Sequence, residues 1–396
     1  MKILILLSRV PYPTDKGDKL RAFNHLKCLA QENELILCAL NNTALHPDAL
    51  QKLKPFCSQI HIINLRGWEV LTGLLWAFFT GKPMQVGYFY NYFSNRKVRK
   101  LIKTVAPDHI FCQLLRTAEY ARNLSGPRTL DYQDVFSAGY KRMAEKSNVL
   151  LKLLFLFESK RLARYERSVF ADFNNKTIIS FPDRDLILHP DREDIVVIPN
   201  GVDFEYFSPA GQQKDTDIVF TGNMHYPPNV DAACFLVKEI LPLVRVTHPD
   251  VKVLLAGANP HPKVLSLRSD GVAVSGWVDD IRSSYARARI FIAPMQIGTG
   301  LQNKLLEAMA MGLPCITSPL ANSALGATEG TEILVGYSLA GYAAHIVHLL
   351  DNPVLAVKLA AQGRQFVLRT YDWAKTTQTL HELMLSTPAT CISVTR

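Results

Sequence analysis

The sequence predicts an α/β protein made of two doubly wound, Rossmann-like parallel-sheet domains facing a central cleft, and three observations carry that expectation. Short continuous apolar runs recur along the chain, separated by segments long enough for a crossover helix, which is the pattern a parallel sheet requires. The pattern is run through twice, with a Pro-Asn-Gly turn at Pro199-Asn200-Gly201 near the middle. The 396 residues are too many for a small stapled scaffold and suit two or three domains. The expected division is 1–190 for the first domain and 191–370 for the second. Residues 371–396 are then a C-terminal helix returning to the first domain, with a frayed tail from Ser386.

The elements follow in order. Lys2 to Leu7 is an apolar run closed by the turn-rich Pro11-Tyr12-Pro13-Thr14-Asp15-Lys16-Gly17-Asp18, after which Leu20, Phe23, Leu26 and Ala30 recur at helical spacing. Further strand-like runs lie at Glu34–Leu40, Gln59–Leu65 and His109–Cys112, and a long amphipathic, charged segment occupies about 134–173. In the second half the runs are Ile195–Ile198, Asp217–Thr221, Val251–Ala256, Val272–Ser275, Ile290–Ala293, Pro314–Thr317 and Ile333–Val335. Helices alternate with them, including Val230–Val246 and Gln302–Met311, the latter closed by Gly312 and Pro314.

Composition narrows the function classes. Hydrophobic residues at 48% and charged residues at 20% exclude a disordered or fibrous chain. Seven scattered cysteines without a CxxC pair or a secretory signal indicate a reducing, cytoplasmic compartment. The net charge of +9 is unevenly held: residues 1–200 carry 29 Lys/Arg against 19 Asp/Glu, and the remainder carries 15 against 16. The first lobe is therefore expected to meet something anionic. Trp68–Phe79 and Val149–Phe157 are too short to span a membrane, which leaves the interface open to them. The cluster Tyr88–Phe93, followed by Arg96, Lys97, Arg99, Lys100 and Lys103, mixes aromatic and basic residues in the way membrane docking favours. A solvated helix face is the other reading.

The segment from Ile290 to Pro314 reads as strand, glycine loop (Gly298-Thr299-Gly300), helix, strand. In such a unit the helix N-terminus and its amides favour an anion such as a diphosphate. Lys304 falls in the first helical turn, where a cation opposes the macrodipole, so a bound phosphate would give it a purpose. Glu307, three residues on, can accept hydrogen bonds from ribose hydroxyls. The alternative is a surface Lys-Glu pair after an ordinary turn.

Five motifs stand in order and in spacing. They are Ile198-Pro199-Asn200-Gly201-Val202-Asp203, Phe220-Thr221-Gly222, Leu255-Ala256-Gly257, Gly276-Trp277-Val278-Asp279-Asp280, and Leu306-Glu307-Ala308-Met309-Ala310 with Gly312 and Pro314. With them the chain resembles the retaining glycosyltransferases of family 4, which have the GT-B fold. Gly222-Asn223-Met224 and Leu301-Gln302-Asn303-Lys304 look like the branch linked to exosortase-associated exopolysaccharide systems.

The resemblance implies a UDP- or GDP-linked nucleotide-sugar donor, no cofactor and no metal. The donor would be bound by Gly222, Asn223, Gly257, Val278, Gly298, Thr299, Gly300, Leu301, Gln302, Asn303, Lys304 and Glu307. It implies a glycan acceptor at the first lobe near the loop of Asp15, Lys16, Gly17 and Asp18, for which a plain strand-to-helix turn is the other reading; Asp131 is read from the residues as acceptor-side, and the first-lobe charge adds a lipid-linked acceptor and an anionic membrane surface as partners. Nucleic acid is not expected. Asp134, Lys304 and Glu307 are the catalytic candidates, Asp134 as a base or hydrogen-bond partner to an acceptor hydroxyl, with helix capping as its bland alternative.

The chain departs from the family pattern at two places. Thr299 stands where the family commonly has the first of two glutamates, and Asn223 and Asn229 stand where it commonly has an Arg and Lys for the diphosphate. Lys304 is expected to supply the missing charge. An epimerase on the same scaffold and a non-catalytic nucleotide-sugar-binding subunit are the rival readings. Asp183-Arg184-Asp185 and Asp215-Thr216-Asp217 spell DxD by chance, and His345 with His348 lacks a third metal ligand.

Overall fold

The computed structural model describes residues 1–145, 147–209, 211–297, 300–387 and 392. The chain divides into two compact units. One is Met1–Pro199 together with the chain from Trp373 onward, and the other is Asn200–Asp372.

In the first unit the elements run β1 (Lys2–Leu7), α1 (Gly17–Leu29), β2 (Glu34–Asn41), α2 (Ala49–Leu53), β3 (Gln59–Asn64), α3 (Gly67–Thr80), α4 (Met84–Phe89), α5 (Tyr92–Val105), β4 (His109–Gln113), α6 (Leu115–Ala121), β5 (Arg128–Gln133), α7 (Phe136–Glu145), α8 (Val149–Ser168), β6 (Asn175–Ile178), α9 (Phe181–Leu186) and β7 (Val196–Val197). The strands form one sheet in the order β3-β2-β1-β4-β5-β6-β7, parallel throughout. Helices cover both faces, so β1 and β4 are buried along nearly their whole length, which is why they read as unbroken apolar runs.

The second unit runs β8 (Thr216–Thr221), α10 (Pro227–Phe235), α11 (Leu241–Arg245), β9 (Val253–Ala256), α12 (Pro262–Leu265), β10 (Val272–Gly276), α13 (Arg282–Ala286), β11 (Ala288–Ala293), α14 (Asn303–Ala310), β12 (Cys315–Thr317), α15 (Pro319–Leu325), β13 (Leu334–Val335), α16 (Leu339–Asp351) and α17 (Pro353–Thr370). Its sheet is also parallel, in the order β10-β9-β8-β11-β12-β13. The chain then enters α18 (Trp373–Leu385), which packs in the first unit. There Leu380 and Met384 join the core with Leu26 and Leu29, and His25 Nδ1 lies 2.9 Å from Thr377 Oγ1.

Three local expectations change. Ile195–Ile198 does not open the second sheet: Val196–Val197 is the edge strand of the first, paired with β6. A short apolar run carries no information about which sheet it joins, and the division falls between Pro199 and Asn200 instead of at 190. The helix expected over Val230–Val246 starts at Pro227 and is interrupted by a π turn at Leu236–Ile240. That widening precedes Pro242, which has no N–H to give the ladder. The segment 134–173 resolves into α7 and α8. At the start of the tail expected to fray, Ser386 N donates to Glu382 O at the end of α18, and residues 388–391 and 393–396 lie outside the described residues.

Candidate functional site

The second unit changes direction of strand order between β8 and β11, since β9 and β10 lie to one side and β12 and β13 to the other. Loops after adjacent strands separate at such a point and leave a crevice at the carboxyl edge. Gly222 follows β8 and Gly257 follows β9, with φ of +151° and +142°. A Cβ on Gly257 would sit 1.9 Å from the Gly222 carbonyl oxygen, so only glycine lets these two backbones meet.

A cluster of side chains gathers over this floor. Asn229, buried in the first turn of α10, donates from Nδ2 to the Asn223 carbonyl at 2.9 Å, and its Oδ1 accepts from Lys304 Nζ at 2.5 Å. A Cβ on Gly222 would lie 3.3 Å from that same Nζ. Lys304 also approaches Met295 Sδ at 3.9 Å and stands 4.9 Å from the centre of the Phe220 ring. Its ammonium thus has an amide oxygen, a thioether and an aromatic face, and one carboxylate nearby in Glu307. Packing of protein around it lowers its pKa from 10.5 to about 7, against the upward pull of Glu307.

Glu307 has a firm second partner. Tyr285 OH, fully buried, donates to Glu307 Oε2 at 2.7 Å and lies 2.7 Å from Thr221 Oγ1. Burial raises the Glu307 pKa, with Tyr285 and Lys304 opposing. Tyr285 escaped the sequence reading because it lies 22 residues from Glu307 in sequence. Only its lone position among polar residues in α13 marked it.

Around them, Gln302 precedes α14 without capping it and turns its side-chain amide to the Gly300 carbonyl at 2.8 Å. Asn303 accepts from Asn200 Nδ2 at 3.1 Å. The Leu301 side chain packs on the core, which leaves its backbone for any ligand. Val278 follows β10 beside the exposed Trp277. Gly298 and Thr299 lie outside the described residues. The structure therefore brings Gly222, Asn223, Asn229, Lys304 and Glu307 into one cluster at the switch point, and the uncapped first turn of α14 opens beside it.

The first unit has its own polar edge, and here two expectations are corrected. Asp131, expected on the acceptor side, lies inside β5, fully buried, and its carboxylate is taken up by Arg21 at 2.7 and 3.2 Å and by Thr177 Oγ1 at 2.9 Å. It is a core ion pair. The turn expected to extend through Asp18 ends at Lys16, because α1 begins at Gly17, and a Cβ there would meet nothing within 4 Å. Asp15 pairs with Lys19, and Asp18 accepts from Arg9 at 2.8 Å.

Asp134 stands just beyond β5 in contact with solvent. It is not needed as a cap, since Ser137 in the first turn of α7 is held through its N–H and hydroxyl by the buried Glu166. The protein crowded around Asp134, then the charges of Asp183, Asp18 and Asp131, push its carboxyl up to about 7. Arg116, unnoticed in the sequence, lies over the rings of Phe89 and Phe136, lowered to about 10 by desolvation and by Arg9.

The discounted groups have ordinary work. Asp183 bonds Ser180 in the cap of α9, Asp215 and Asp217 pair with Arg287 and Arg289, and His345 bonds the Val335 carbonyl.

Residues 215–352 match the family model of glycosyl transferases group 1. The switch-point cluster of Gly222, Asn229, Lys304 and Glu307 lies within that matched stretch. The chain is 21% identical over 395 residues to a protein of Klebsiella pneumoniae named "Uncharacterized 44.6 kDa protein in cps region", covering 94% of this chain and 97% of that one. It is 29% identical over 193 residues to a phosphatidyl-myo-inositol mannosyltransferase of Mycobacterium leprae, where 46% of this chain matches half of the relative's length. Its fold is shared with sucrose-phosphate synthase of Thermosynechococcus elongatus, with a TM-score of 0.68 at 14% identity over 97% of this chain and 98% of that one. It is shared too with Anabaena HepE in complex with UDP and glucose, with a TM-score of 0.67 at 14% identity over 98% and 100%. The architecture is the two-domain GT-B fold.

Proposed function

We propose that the protein is a glycosyltransferase that moves a sugar from a UDP- or GDP-linked donor, bound by the second unit, to a lipid-linked glycan acceptor bound by the first. The transfer retains anomeric configuration and serves bacterial exopolysaccharide or other cell-surface polysaccharide synthesis on the inner face of the cytoplasmic membrane. The observation that carries the donor half is Lys304 held by Asn229 above the Gly222–Gly257 floor. A cation kept in surroundings that discourage its charge is matched by a ligand bringing negative charge. The retaining character and the family's donor class rest on the resemblance of the motifs. The Klebsiella relative of the cps region and the phosphatidylinositol mannosyltransferases support a surface polysaccharide and a lipid-borne acceptor.

In this reading the donor's diphosphate lies against Lys304 and the first-turn amides of α14, where the helix dipole adds to the attraction. The ribose hydroxyls donate to Glu307, held in place by Tyr285. The acceptor hydroxyl attacks from the face the diphosphate leaves, and the departing oxygen takes its proton while Lys304 and the amides stabilise the growing charge. The scheme asks for no protein nucleophile and no metal. Asp134, in the first unit, orients the acceptor hydroxyl.

The test is incubation of the pure protein with labelled UDP- and GDP-sugars and a lipid extract of bacterial membranes. Label in the lipid fraction is expected with one donor. Conversion of a donor to an isomer without acceptor would replace this reading by the epimerase, and binding without any conversion by the non-catalytic subunit.

A further inference from the structure

We infer that the outward faces of α3 and of the first turns of α8 together form a shallow docking surface for an anionic lipid bilayer. The inference deepens the reading of a lipid-borne acceptor and takes its purpose from it, while its test reads binding with no sugar transfer.

α3 is apolar on its outward face as well as its inward one. Its buried residues are Glu69, Gly73 and Ala77, because it lies very close to α4. A Cβ on Gly73 would come within 2.2 Å of the Gly87 carbonyl oxygen, and one on Gly87 within 2.4 Å of the Ala77 Cβ. No large side chain fits along that line of closest approach, and Val70 and Trp76 pack on the core beside it. Trp68, Leu71, Leu75, Phe78 and Phe79 occupy the opposite stripe at helical spacing, all exposed, Phe79 to 81%. Ordinary surface helices put such residues inward, and a contiguous apolar patch facing out marks an interaction site.

α8 continues the patch. Val149, Leu150, Leu153, Leu154 and Phe157 are exposed, Leu150 to 80%. The two helices are tied together by Arg161, which donates to the carbonyl oxygens of Ala77 and Gly81 and lies over the Phe157 ring. Phe157 and the turn bearing Phe78 are thus neighbours through one guanidinium.

Charge names the occupant. Between residues 66 and 104 the sequence has seven Lys/Arg and one acid, Glu69. Glu69 is buried, accepts from the Arg66 N–H and faces Lys97 at 3.9 Å. In α8 both carboxylates, Glu158 and Glu166, are buried and bonded to the Gln85 N–H and to Ser137, while Lys152, Lys160, Arg164 and Arg167 are exposed. Every exposed charge on α3, α4, α5 and α8 is therefore cationic. A second copy of this face would oppose positive to positive, whereas anionic headgroups complement it. Among the described residues no helix is long and apolar enough to cross a membrane, so the patch lies in the interface, its rings among the headgroups and acyl ends.

The experiment is flotation of the full chain with phosphatidylcholine vesicles and with vesicles also containing phosphatidylglycerol, at low and high salt, plus quenching by brominated lipid. Binding to the anionic vesicles is expected, with quenching that falls in Trp68→Phe. The pairs Phe78→Ser with Phe79→Ser, and Leu150→Ser with Leu153→Ser, should each weaken binding by about tenfold or more with unchanged melting temperature. The surface reading is overturned if the wild type ignores anionic vesicles at low salt. It is equally overturned if Lys97→Glu with Lys100→Glu abolishes binding while the serine pairs do not, which is adhesion by charge alone. A lipid-free dimer that the serine pairs convert to monomer makes a second copy the occupant and also overturns it. Vesicle binding by a protein that transfers no sugar supports this surface and counts against the proposed reaction, and transfer without vesicle binding does the opposite.

Discussion

Replacing Lys304 by Met should make the second unit more stable while it loses its nucleotide. Lys304 gives up its proton at about 7 in the folded chain against 10.5 ordinarily, so folding works against its charge. At about 1.4 kcal/mol for each pH unit, that fall sets a ceiling of about 5 kcal/mol. Lys304 keeps some contact with solvent, which cuts the figure to about 2 or 3 kcal/mol. Met fills similar space with no charge but leaves Asn229 Oδ1 without its donor, at a cost of about 1 kcal/mol. The balance is a gain of about 1.5 kcal/mol, or a rise of about 3 to 6 °C in the melting of a domain this size.

The pH dependence carries a definite sign. Below pH 7 Lys304 is charged in both states and its cost to the folded chain is complete, and as pH rises toward 10.5 the folded chain sheds the proton and the cost fades. The advantage of Lys304→Met should therefore be largest at or below pH 7 and shrink in alkaline buffer. Scanning calorimetry of both proteins from pH 6 to 10 reads this directly. A melting temperature that drops in the variant, or a difference that does not change with pH, would refute the reasoning and make Lys304 an ordinary structural lysine.

Three further outcomes are expected. Glu307→Ala should weaken binding of the bare nucleoside as well as the diphosphate, and Tyr285→Phe should raise KM for the donor more than it lowers kcat, because Tyr285 only holds Glu307; unchanged nucleoside affinity in the first variant rules out the ribose contact. Since Asp134 titrates near 7, the transfer rate should climb as pH passes through that value and the climb should disappear in Asp134→Asn; initial rates from pH 5.5 to 8.5 decide, and parallel profiles would leave Asp134 no role. Gly257→Ala should destabilise the second unit by about 3 kcal/mol or more, since the methyl meets the Gly222 carbonyl at a left-handed φ, and a thermal melt unchanged from wild type would contradict the close approach.

What the sequence could disclose depended on how local the signal was. Runs such as Ile3 to Leu7 and Phe291 to Ala293 are buried on both faces, so hydropathy alone marked β1 and β11. β6 begins with Asn175 and Lys176 and passed unseen, and Val196–Val197 was given to the wrong sheet because pairing is a long-range fact. At the site, Lys304 and Glu307 share a turn and were found together, and Asn229 was noted as a departure, but its hydrogen bond to Lys304 spans 75 residues. Asp131 misled for the same reason: its partner Arg21 is 110 residues away, and from sequence its carboxylate looks free. Gly222 and Gly257 enter the donor site through their motifs alone, and the 1.9 Å approach gives the pair a physical cause.

The central claim is that the Gly222–Lys304–Glu307 cluster binds a nucleoside diphosphate. Titration calorimetry of uridine, UDP, guanosine and GDP against the wild type and Lys304→Ala tests it most directly. One diphosphate should bind the wild type, and Lys304→Ala should weaken it by about tenfold to a hundredfold, as loss of a charge-assisted hydrogen bond does, while the matching nucleoside is almost unaffected. Failure of both diphosphates to bind, or an equal loss for nucleoside and diphosphate, would contradict it.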